Sequence, residues 1–303
     1  MVSFTKKKLA ILLLTASSLI ISCSKDDSEQ PGKTPNVDSL SVTSKKVAVG
    51  QYIVISPSVK DEDTDNSKLT YSWTGTDGFK SSEAEAKWRP TVTGNHTLTL
   101  NVSDGKTSGK KDILFNVVNP DFRLGIWANK YADIQLFESK AGKTVHPASN
   151  LLFQIYQGEN TTTIDAYAFT NNLLSSASTL FTKTYASTYS QYVTDYNTNL
   201  NKLRTKYGTP KSNLIFYKTD SVRTVITTHP ELIGDAIVAG DVKLTATWET
   251  TSSTVALTIY KSSTSGNLIF GASYIPLSTA PLTASFENKR ESLLEDLTNS
   301  IKK

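Results

Sequence analysis

The spacing of apolar residues changes once along this chain, close to residue 119, and the change divides the chain into two kinds of folding unit. Before that point apolar and polar residues alternate over short segments, as in residues 96–102, where Leu98, Leu100 and Val102 share one face. An alternation of period two is typical of a β-strand with one buried side. After that point, segments with helical spacing alternate with strand-like ones. We therefore predict an all-β domain followed by an α+β domain, which suits a chain of 303 residues.

The all-β unit spans residues 36–119. Serine and threonine make up 76 of the 303 residues, a composition that favours strands over helices. Five segments carry alternating or β-branched apolar side chains, with turn-forming residues between them. These segments are residues 42–49, 52–59, 69–73, 96–102 and 113–118. Strands at this spacing over about 85 residues predict an immunoglobulin-like sandwich, with Trp73 packed between its two sheets.

Parts of this unit resemble the polycystic-kidney-disease (PKD) type of immunoglobulin-like domain. The acidic loop and Tyr-x-Trp strand of that family are similar to residues 59–65, Val-Lys-Asp-Glu-Asp-Thr-Asp, and residues 69–73, Leu-Thr-Tyr-Ser-Trp. Its closing hairpin is similar to residues 93–105. The chain departs from the family after the tryptophan, where Gly-Thr-Asp-Gly at residues 75–78 stands in place of the usual Gly-Asp-Gly. The resemblance implies a spacer or binding module of an extracellular protein rather than an active site.

The acidic loop also offers ligands for a metal ion. Asp61, Asp63 and Asp65 occupy alternate positions, and Asp104 is expected to reach them from another loop of the sandwich. Calcium takes roughly six to eight oxygen ligands, and this cluster could supply most of them. The alternative is a solvated acidic turn, because the fixed spacing of a twelve-residue calcium loop is absent. No other cofactor is expected.

The α+β unit, residues 120–303, is predicted to alternate helices with strands. Helices are expected at residues 131–141, at residues 189–207, where tyrosines and leucines form an apolar stripe, and at residues 230–239. An amphipathic helix at residues 286–303 is expected to dock on its own sheet, with a partner-facing role as the alternative. The predicted strands are residues 151–157, 163–169, 179–182, 242–249, 254–260 and 267–275.

Each half of the α+β unit therefore reads as a helix followed by a three-stranded antiparallel meander. A repeat constrains the fold more than any single element does. This double arrangement resembles tandem-repeat α+β binding domains such as the β-lactamase-inhibitor-protein-like fold. The tyrosine stripe of the second helix has two readings, a sugar-stacking surface or part of the core, and its helical spacing favours the core.

The N-terminus carries an export signal. Three lysines at residues 6–8 precede an apolar run at residues 9–21 and the small residue Ser22. These zones are typical of a secretory signal peptide, here residues 1–22, and the apolar core is too short for a membrane span.

Cys23 follows this signal directly. Residues 20–23, Ile-Ile-Ser-Cys, resemble the bacterial lipobox, in which the cysteine is lipidated and becomes the first residue of the mature protein. Residues 24–29, Ser-Lys-Asp-Asp-Ser-Glu, resemble the export signal of surface lipoproteins in the Bacteroidetes phylum. The resemblance implies an outer-membrane lipoprotein that is held in the lipid by acylated Cys23 and exposed at the cell surface. In that lipoprotein, residues 23–35 are the lipidated cysteine and a flexible tether. The alternative is a plain cleaved signal.

Cysteine and charge counts exclude several functional classes. A single cysteine excludes an intrachain disulfide framework and a thiolate metal site. The formal net charge of +4 suggests an acidic partner, but three of the 32 basic residues and none of the 28 acidic ones lie in the signal peptide. The mature chain is therefore almost neutral, with 29 basic and 28 acidic residues. Because no basic-aromatic groove pattern is present either, no nucleic-acid partner is expected.

Catalytic motifs are missing from the sequence. It contains no glycine-rich phosphate loop, nucleophile elbow, zinc-binding histidine pair or cysteine nucleophile. The three histidines are interpreted as polar surface or turn residues: His96, His146 and His229. Four carboxylates stand out at apolar or strand-end positions, and each also has an ordinary surface explanation: Asp133, Glu138, Asp165 and Glu249. The expectation is therefore that the protein is not an enzyme.

Two functional hypotheses follow. The first is a non-catalytic surface lipoprotein in which a PKD-like spacer presents an α+β domain that binds a polysaccharide or a protein. Burial is expected for three further tryptophans, with a role as stacking platforms for the ligand as the alternative: Trp88, Trp127 and Trp248. The second is a surface hydrolase acting on polysaccharide or peptide. A deep cleft with two carboxylates about 5 to 9 Å apart favours the hydrolase, and a shallow groove or convex surface speaks against it.

Overall fold

The computed structural model describes residues 32–277 and 284–302, with only the backbone of residues 284–290. The signal peptide and Cys23 lie outside the described residues. The strands are β1 (Asn36–Ser41), β2 (Lys46–Ala48), β3 (Ile53–Lys60), β4 (Thr70–Gly75), β5 (Lys80–Ser81), β6 (Ala86–Trp88), β7 (Gly94–Ser103), β8 (Ser108–Val118), β9 (Phe153–Gln157), β10 (Thr163–Thr170), β11 (Leu173–Phe181), β12 (Ser212–Tyr217), β13 (Val242–Glu249), β14 (Ser253–Lys261) and β15 (Leu268–Pro276). The helices are α1 (Tyr131–Lys140), α2 (Ser190–Tyr207), α3 (Asp220–Thr228), α4 (Ile233–Ala239) and α5 (Ala284–Lys302).

The first eight strands form a sandwich of two sheets. One sheet has the order β2-β8-β7-β4-β5 and the other the order β1-β3-β6. Strand β7 shows why the sequence folds in this way, because Leu98, Leu100 and Val102 are fully buried while the residues between them are not. Trp73 is 1% exposed and its indole nitrogen donates to the carbonyl oxygen of Glu83 at 3.0 Å. The predicted two-sheet sandwich and the core position of Trp73 are therefore confirmed.

The loop that departs from the PKD pattern has a packing role of its own. Asp77 accepts a hydrogen bond from the indole nitrogen of Trp88 at 2.8 Å through one carboxylate oxygen. Its other oxygen accepts from the backbone N–H of Phe79 at 3.1 Å. Gly78 has a φ of +86°, which favours glycine. The loop thereby closes over the buried ring of Trp88.

The remaining seven strands form one antiparallel sheet with the order β12-β13-β14-β15-β11-β10-β9. Two meanders, β9-β10-β11 and β13-β14-β15, join where Ala177 of β11 pairs with Tyr274 of β15. Strand β12 pairs with β13 and forms one edge of the sheet. The sequence did not predict β12 or the following helix α3. Since β12, α3 and α4 have no counterpart beside the first meander, the tandem repeat stays a prediction.

Helices cover both faces of this sheet. Helix α5 places Leu293, Leu294 and Leu297 in one apolar cluster with residues such as Leu180 and Ile269. This confirms the prediction that the amphipathic C-terminal helix docks on its own sheet.

The opposite face carries α2 and α4. There Tyr192, Tyr196, Leu200 and Leu203 of α2 are buried, so the tyrosine stripe belongs to the core. Among the described residues, no helix combines the length and the apolar character needed to span a bilayer.

The sandwich meets the α+β region at a buried glutamine. The side-chain nitrogen of Gln51 donates to the carbonyl oxygen of Leu124 at 2.6 Å and to the amide oxygen of Asn129 at 3.1 Å. Its side-chain oxygen accepts from the backbone N–H of Ala48 at 2.8 Å. Gln51 is fully buried. We call this contact the joint, and its hydrogen bonds satisfy backbone groups from both sides.

The joint lies at the opposite end of the sandwich from the acidic loops. Strand β8 begins at Ser108, just after the loop of Asp104, and ends at Val118, whose carbonyl oxygen accepts from the N–H of Val49 at 2.9 Å. Its 11 residues span about 35 Å at the rise of an extended strand. The described chain enters at Gly32, which lies near the side chains of Asp63 and Asp104. The sandwich therefore separates the entry point of the chain from the α+β region by its full length.

We expect Gln51→Leu to lower the free energy of unfolding by about 1–3 kcal/mol, because buried backbone groups on both sides of the joint lose their partner. Chemical denaturation of the variant and the parent protein measures the difference. Gln191→Leu, at an exposed position on α2, is the matched control and should change stability by less than about 0.5 kcal/mol. Equal losses in the two variants would contradict a specific role for Gln51.

Candidate functional site

A cavity of about 760 Å³ lies between helix α2 and the sheet face formed by β10, β11 and β15. Its volume is within the range of roughly 300–1,000 Å³ typical of small-ligand sites. Its apolar surface comes from Phe122, Phe181, Phe270 and Tyr274. Helix α2 and the turn between β9 and β10 contribute polar side chains, among them Asn160, Thr162, Thr198, Asn199 and Thr205. We call this site the α2 cavity.

A largely buried ion-pair network contributes Arg123, Asp165 and Thr179 to the wall of the α2 cavity. Arg123 donates from Nε and one terminal nitrogen to the two carboxylate oxygens of Glu138, at 2.8 and 2.7 Å. Its other terminal nitrogen donates to Asp165 at 2.5 Å. Tyr167 donates its hydroxyl to Glu138 at 2.5 Å, and Thr179 donates to the second oxygen of Asp165 at 2.6 Å. Five side chains from different parts of the chain are thereby fixed to one another.

Burial and charge shift the pKa values in this network. Burial lowers the pKa of Arg123, but the hydrogen bonds and charge of Glu138 outweigh that effect, and the pKa is raised overall. Burial raises the pKa of Tyr167 well above its ordinary value, and the neighbouring charge of Glu138 raises it further. Arg123 therefore stays a cation and Tyr167 a neutral hydroxyl donor.

The network corrects the sequence interpretation of two carboxylates. Glu138 is fully buried and Asp165 is 6% exposed, so neither is the surface residue that the sequence suggested. The other two have the expected ordinary roles. Asp133 accepts from the backbone N–H of Lys130 at the start of α1, and Glu249 pairs with Lys211 at 2.5 Å. Both oxygens of Glu138 are bonded to Arg123, which leaves this carboxylate suited to holding the arginine rather than to moving a proton.

Several charged residues at the rim of the cavity also have partners. Lys202 of α2 lies 3.6 Å from Glu159 in the turn between β9 and β10. Tyr185 donates its hydroxyl to Asp195, and both groups raise the pKa of the neighbouring Lys183, with Tyr185 as the larger influence. The exposed rim pairs contribute little to stability. With Lys206 included, the rim has three lysines and two carboxylates, a net charge of +1.

The expected burial is confirmed for two of the three tryptophans, which excludes them as stacking platforms. Trp88 and Trp248 are each 1% exposed and pack in the core. Trp127 is half-buried, and its indole nitrogen donates to the carbonyl oxygen of Ser252 at 3.1 Å and to the hydroxyl of Ser253 at 3.0 Å. The aromatic rings that do line a cavity are Phe122, Phe181 at the end of β11, and Phe270 and Tyr274 on β15. The four-residue spacing on β15 reveals a shared face of the strand but not a cavity.

The histidines do not form a site in the described part of the chain. His96 is 8% exposed, so the expectation of a surface residue is wrong; its ring packs near Trp88 and bonds the carbonyl oxygen of Val92 at 2.9 Å. His146 is half-buried and accepts from the N–H of Ala148 at 3.2 Å. His229 is exposed beside Glu231.

Three of the four predicted calcium ligands lie together at the entry end of the sandwich. One carboxylate oxygen from each of Asp61, Asp63 and Asp104 lies within 4.8 Å of the others, and we call them the acidic cluster. Asp65 is not part of it, because its side chain accepts from the N–H of Ser67 at 2.9 Å and caps a short 3-10 helix.

The partners of the acidic cluster bear on whether calcium fits. One oxygen of Asp61 is buried and has no hydrogen-bond partner among the described residues. Desolvation and the neighbouring Asp63 raise the pKa of Asp61. The backbone N–H of Lys33 lowers the pKa of Asp63. The backbone N–H groups of Thr107 and Lys106 lower the pKa of Asp104. The oxygens suit calcium, but backbone donors already occupy several of them, so the calcium site stays a prediction.

Comparisons with known proteins add little to this picture. Neither the protein-family models nor the curated proteins give a match. Among solved structures, the PKD1 domain of Vibrio anguillarum Epp is 23% identical, with 29% of this chain and 99% of that chain covered, at a TM-score of 0.25. The PKD domain of the human receptor SorCS2 is 16% identical over 37% of this chain and 98% of that one, at 0.25.

A carbohydrate-binding module of the β-sandwich superfamily is 11% identical, with 82% of this chain and 94% of that chain covered, at a TM-score of 0.27. TM-scores this low establish neither a common fold nor a function. The sandwich assigned to residues 36–118 rests instead on its own strand pairing.

If the acidic cluster binds calcium, the ion should raise the melting temperature, since a ligand at about a hundred times its Kd stabilises the folded state by about 2.7 kcal/mol. Thermal unfolding with millimolar calcium or with a chelator measures the shift. Asp61→Asn and Asp63→Asn should abolish it. Asp65→Asn is the matched control and should keep it, because asparagine also caps helices. No shift in the parent protein would favour the solvated acidic turn.

Proposed function

We propose that the protein is a non-catalytic cell-surface lipoprotein in which a PKD-like sandwich spaces a ligand-binding α+β domain from the membrane. The observation that carries the binding role is the α2 cavity, which combines an aromatic surface with amide and hydroxyl side chains. This combination is typical of sites that orient a polar ligand by a few hydrogen bonds on an apolar floor. A polysaccharide suits it better than a protein, because the cavity is concave and small.

The position of the joint supports the spacer role. The chain enters the sandwich near the acidic cluster and leaves it about 35 Å away, where Gln51 connects it to the α+β region. A tether that ends at the entry side therefore holds the α2 cavity away from the lipid surface. The buried joint fixes the direction in which the cavity is presented.

A surface hydrolase remains the alternative function. Three carboxylates contribute to the lining of the cavity, those of Asp165, Glu159 and Asp195. Their partners weigh against catalysis, since Asp165 is held by Arg123 and Thr179, and Asp195 accepts from Tyr185. A glycosidase needs one carboxyl group to donate a proton and a second to act as base or nucleophile.

A glycan array tests the proposed function. The full chain with Cys23→Ala, which stays unlipidated, should bind a subset of immobilised polysaccharides and should release no reducing ends from them. Hydrolysis of any bound glycan would establish the alternative function instead. Failure to bind any glycan would refute the polysaccharide ligand and direct the search to proteins.

The lipid anchor depends on Cys23. We expect Cys23→Ala to move the protein from the membrane fraction to the soluble fraction, because each buried methylene of the acyl chains contributes about 0.8 kcal/mol of membrane affinity. Detergent-phase partitioning and mass spectrometry of the mature N-terminal peptide measure the change. Ser24→Ala, which leaves the cysteine intact, is the control. An unmodified N-terminus in the parent protein would indicate a plain cleaved signal.

A further inference from the structure

We infer that the α2 cavity binds a neutral sugar. Two neighbouring hydroxyl groups of the sugar bind Arg123 and Asp165, and one face of its ring packs on Phe181. The inference rests on the proposed glycan-binding function and adds the class of glycan and the residues that select it. It follows from the charges, the spare hydrogen-bonding capacity and the aromatic exposure of the cavity lining.

The balance of charges in the cavity points to an uncharged ligand. Its lining includes four cationic and three anionic side chains, and Glu138 behind Arg123 supplies a fourth acid. Among the rim cations, Lys202 already pairs with Glu159, and Lys206 lies over the ring of Tyr207, with its Nζ 5.0 Å from the ring centroid. A ligand with net charge would compete with these existing pairs and would lose its own hydration, at a cost that the paired residues do not repay. A neutral ligand avoids both costs.

The Arg123–Asp165 pair has capacity left for a hydroxyl-bearing ligand. Arginine has five N–H donors, and protein acceptors among the described residues take three of those on Arg123. Each oxygen of Asp165 accepts one hydrogen bond there and has a further lone pair. A sugar hydroxyl both donates and accepts, so adjacent hydroxyls can accept from Arg123 and donate to Asp165. The side chains are 18% and 8% exposed, which is consistent with contact at the cavity wall.

Phe181 supplies the matching apolar contact. Three of the four aromatic residues that line the cavity are less than 9% exposed, whereas Phe181 is half-buried. Its ring is held by Phe270, with centroids 4.6 Å apart. An aromatic face that is both fixed and accessible suits the C–H face of a pyranose ring. On α2, the side-chain nitrogen of Asn199 donates to the backbone carbonyl oxygen of Asp195 at 2.9 Å. The side-chain oxygen of Asn199, which also lines the cavity, has no protein donor among the described residues.

Matched oligosaccharide pairs test the charge preference by calorimetry on the full chain with Cys23→Ala. Each pair has the same linkage and differs only in C6, as a hydroxymethyl group or a carboxylate: glucan and glucuronan, mannan and mannuronan, galactan and galacturonan fragments. At least one neutral member should bind at least about tenfold more tightly than its acidic counterpart, with weak dependence on salt. Tighter binding of the acidic members would overturn the inference and leave the glycan-binding function standing. Binding of neither class would refute that function itself.

Variants then test the assigned residues. Asp165→Asn and Phe181→Ala should each weaken binding of the neutral fragment by about tenfold or more, as expected for the loss of a charge-assisted hydrogen bond or an aromatic contact. The matched controls lie outside the cavity: Asp241→Asn, at a half-buried aspartate paired with Lys218, and Phe216→Ala, at an exposed position. Asn199→Ala serves as a second cavity variant if thermal unfolding shows that Asp165→Asn is destabilised. Unchanged affinity in Phe181→Ala and Asn199→Ala would overturn the assignment.

Discussion

The α+β region depends on one buried cation. Arg123 has a φ of +50°, an uncommon conformation for a residue with a side chain, and it follows Phe122 in the segment that leaves the sandwich. From there it holds Glu138 on α1 and Asp165 on β10. Removing one partner of such a buried group costs about 3–5 kcal/mol, because the other charges remain buried without compensation. The backbone strain is therefore maintained by the same contacts that fix α1 against the sheet.

The sequence predicted the elements whose periodicity is strong. Strand β13 begins and ends at the predicted residues, and α2 starts one residue after its predicted start, because a buried face imposes its spacing on the side chains. Strand β12 was missed because it lies at the sheet edge, where Leu214, Ile215 and Phe216 are all about half-exposed and show no alternation. Helix α3 is rich in threonine and valine, which are typical of strands, and its capping by Thr219 is a weaker signal.

The two candidate sites differ in how far the sequence could reveal them. The acidic cluster was largely predicted, because two of its members lie in one loop and the third follows a recognisable hairpin. The α2 cavity was not, since Arg123 meets partners 15 and 42 residues away whose contact depends on the strand order of the finished sheet. Burial of Glu138 and Asp165 looked improbable from their chemistry alone. Charged residues are seldom fully buried unless paired, and the sequence does not identify the pair.

The sandwich has a mechanical consequence that follows from the direction of its strands. Strand β1 runs away from the entry end, while β8 leaves the sandwich at the joint, and β2 pairs with β8 in parallel. Force between a membrane anchor and a captured ligand would pull these strands in opposite directions along their own axes. Strand β1 is hydrogen-bonded to β3 and β8 to β2, so the hydrogen bonds within each of these two pairs would have to break together rather than one after another. Resistance to such force is set by the barrier to unfolding and not by equilibrium stability, so even a sandwich of modest equilibrium stability would resist it if that barrier were high.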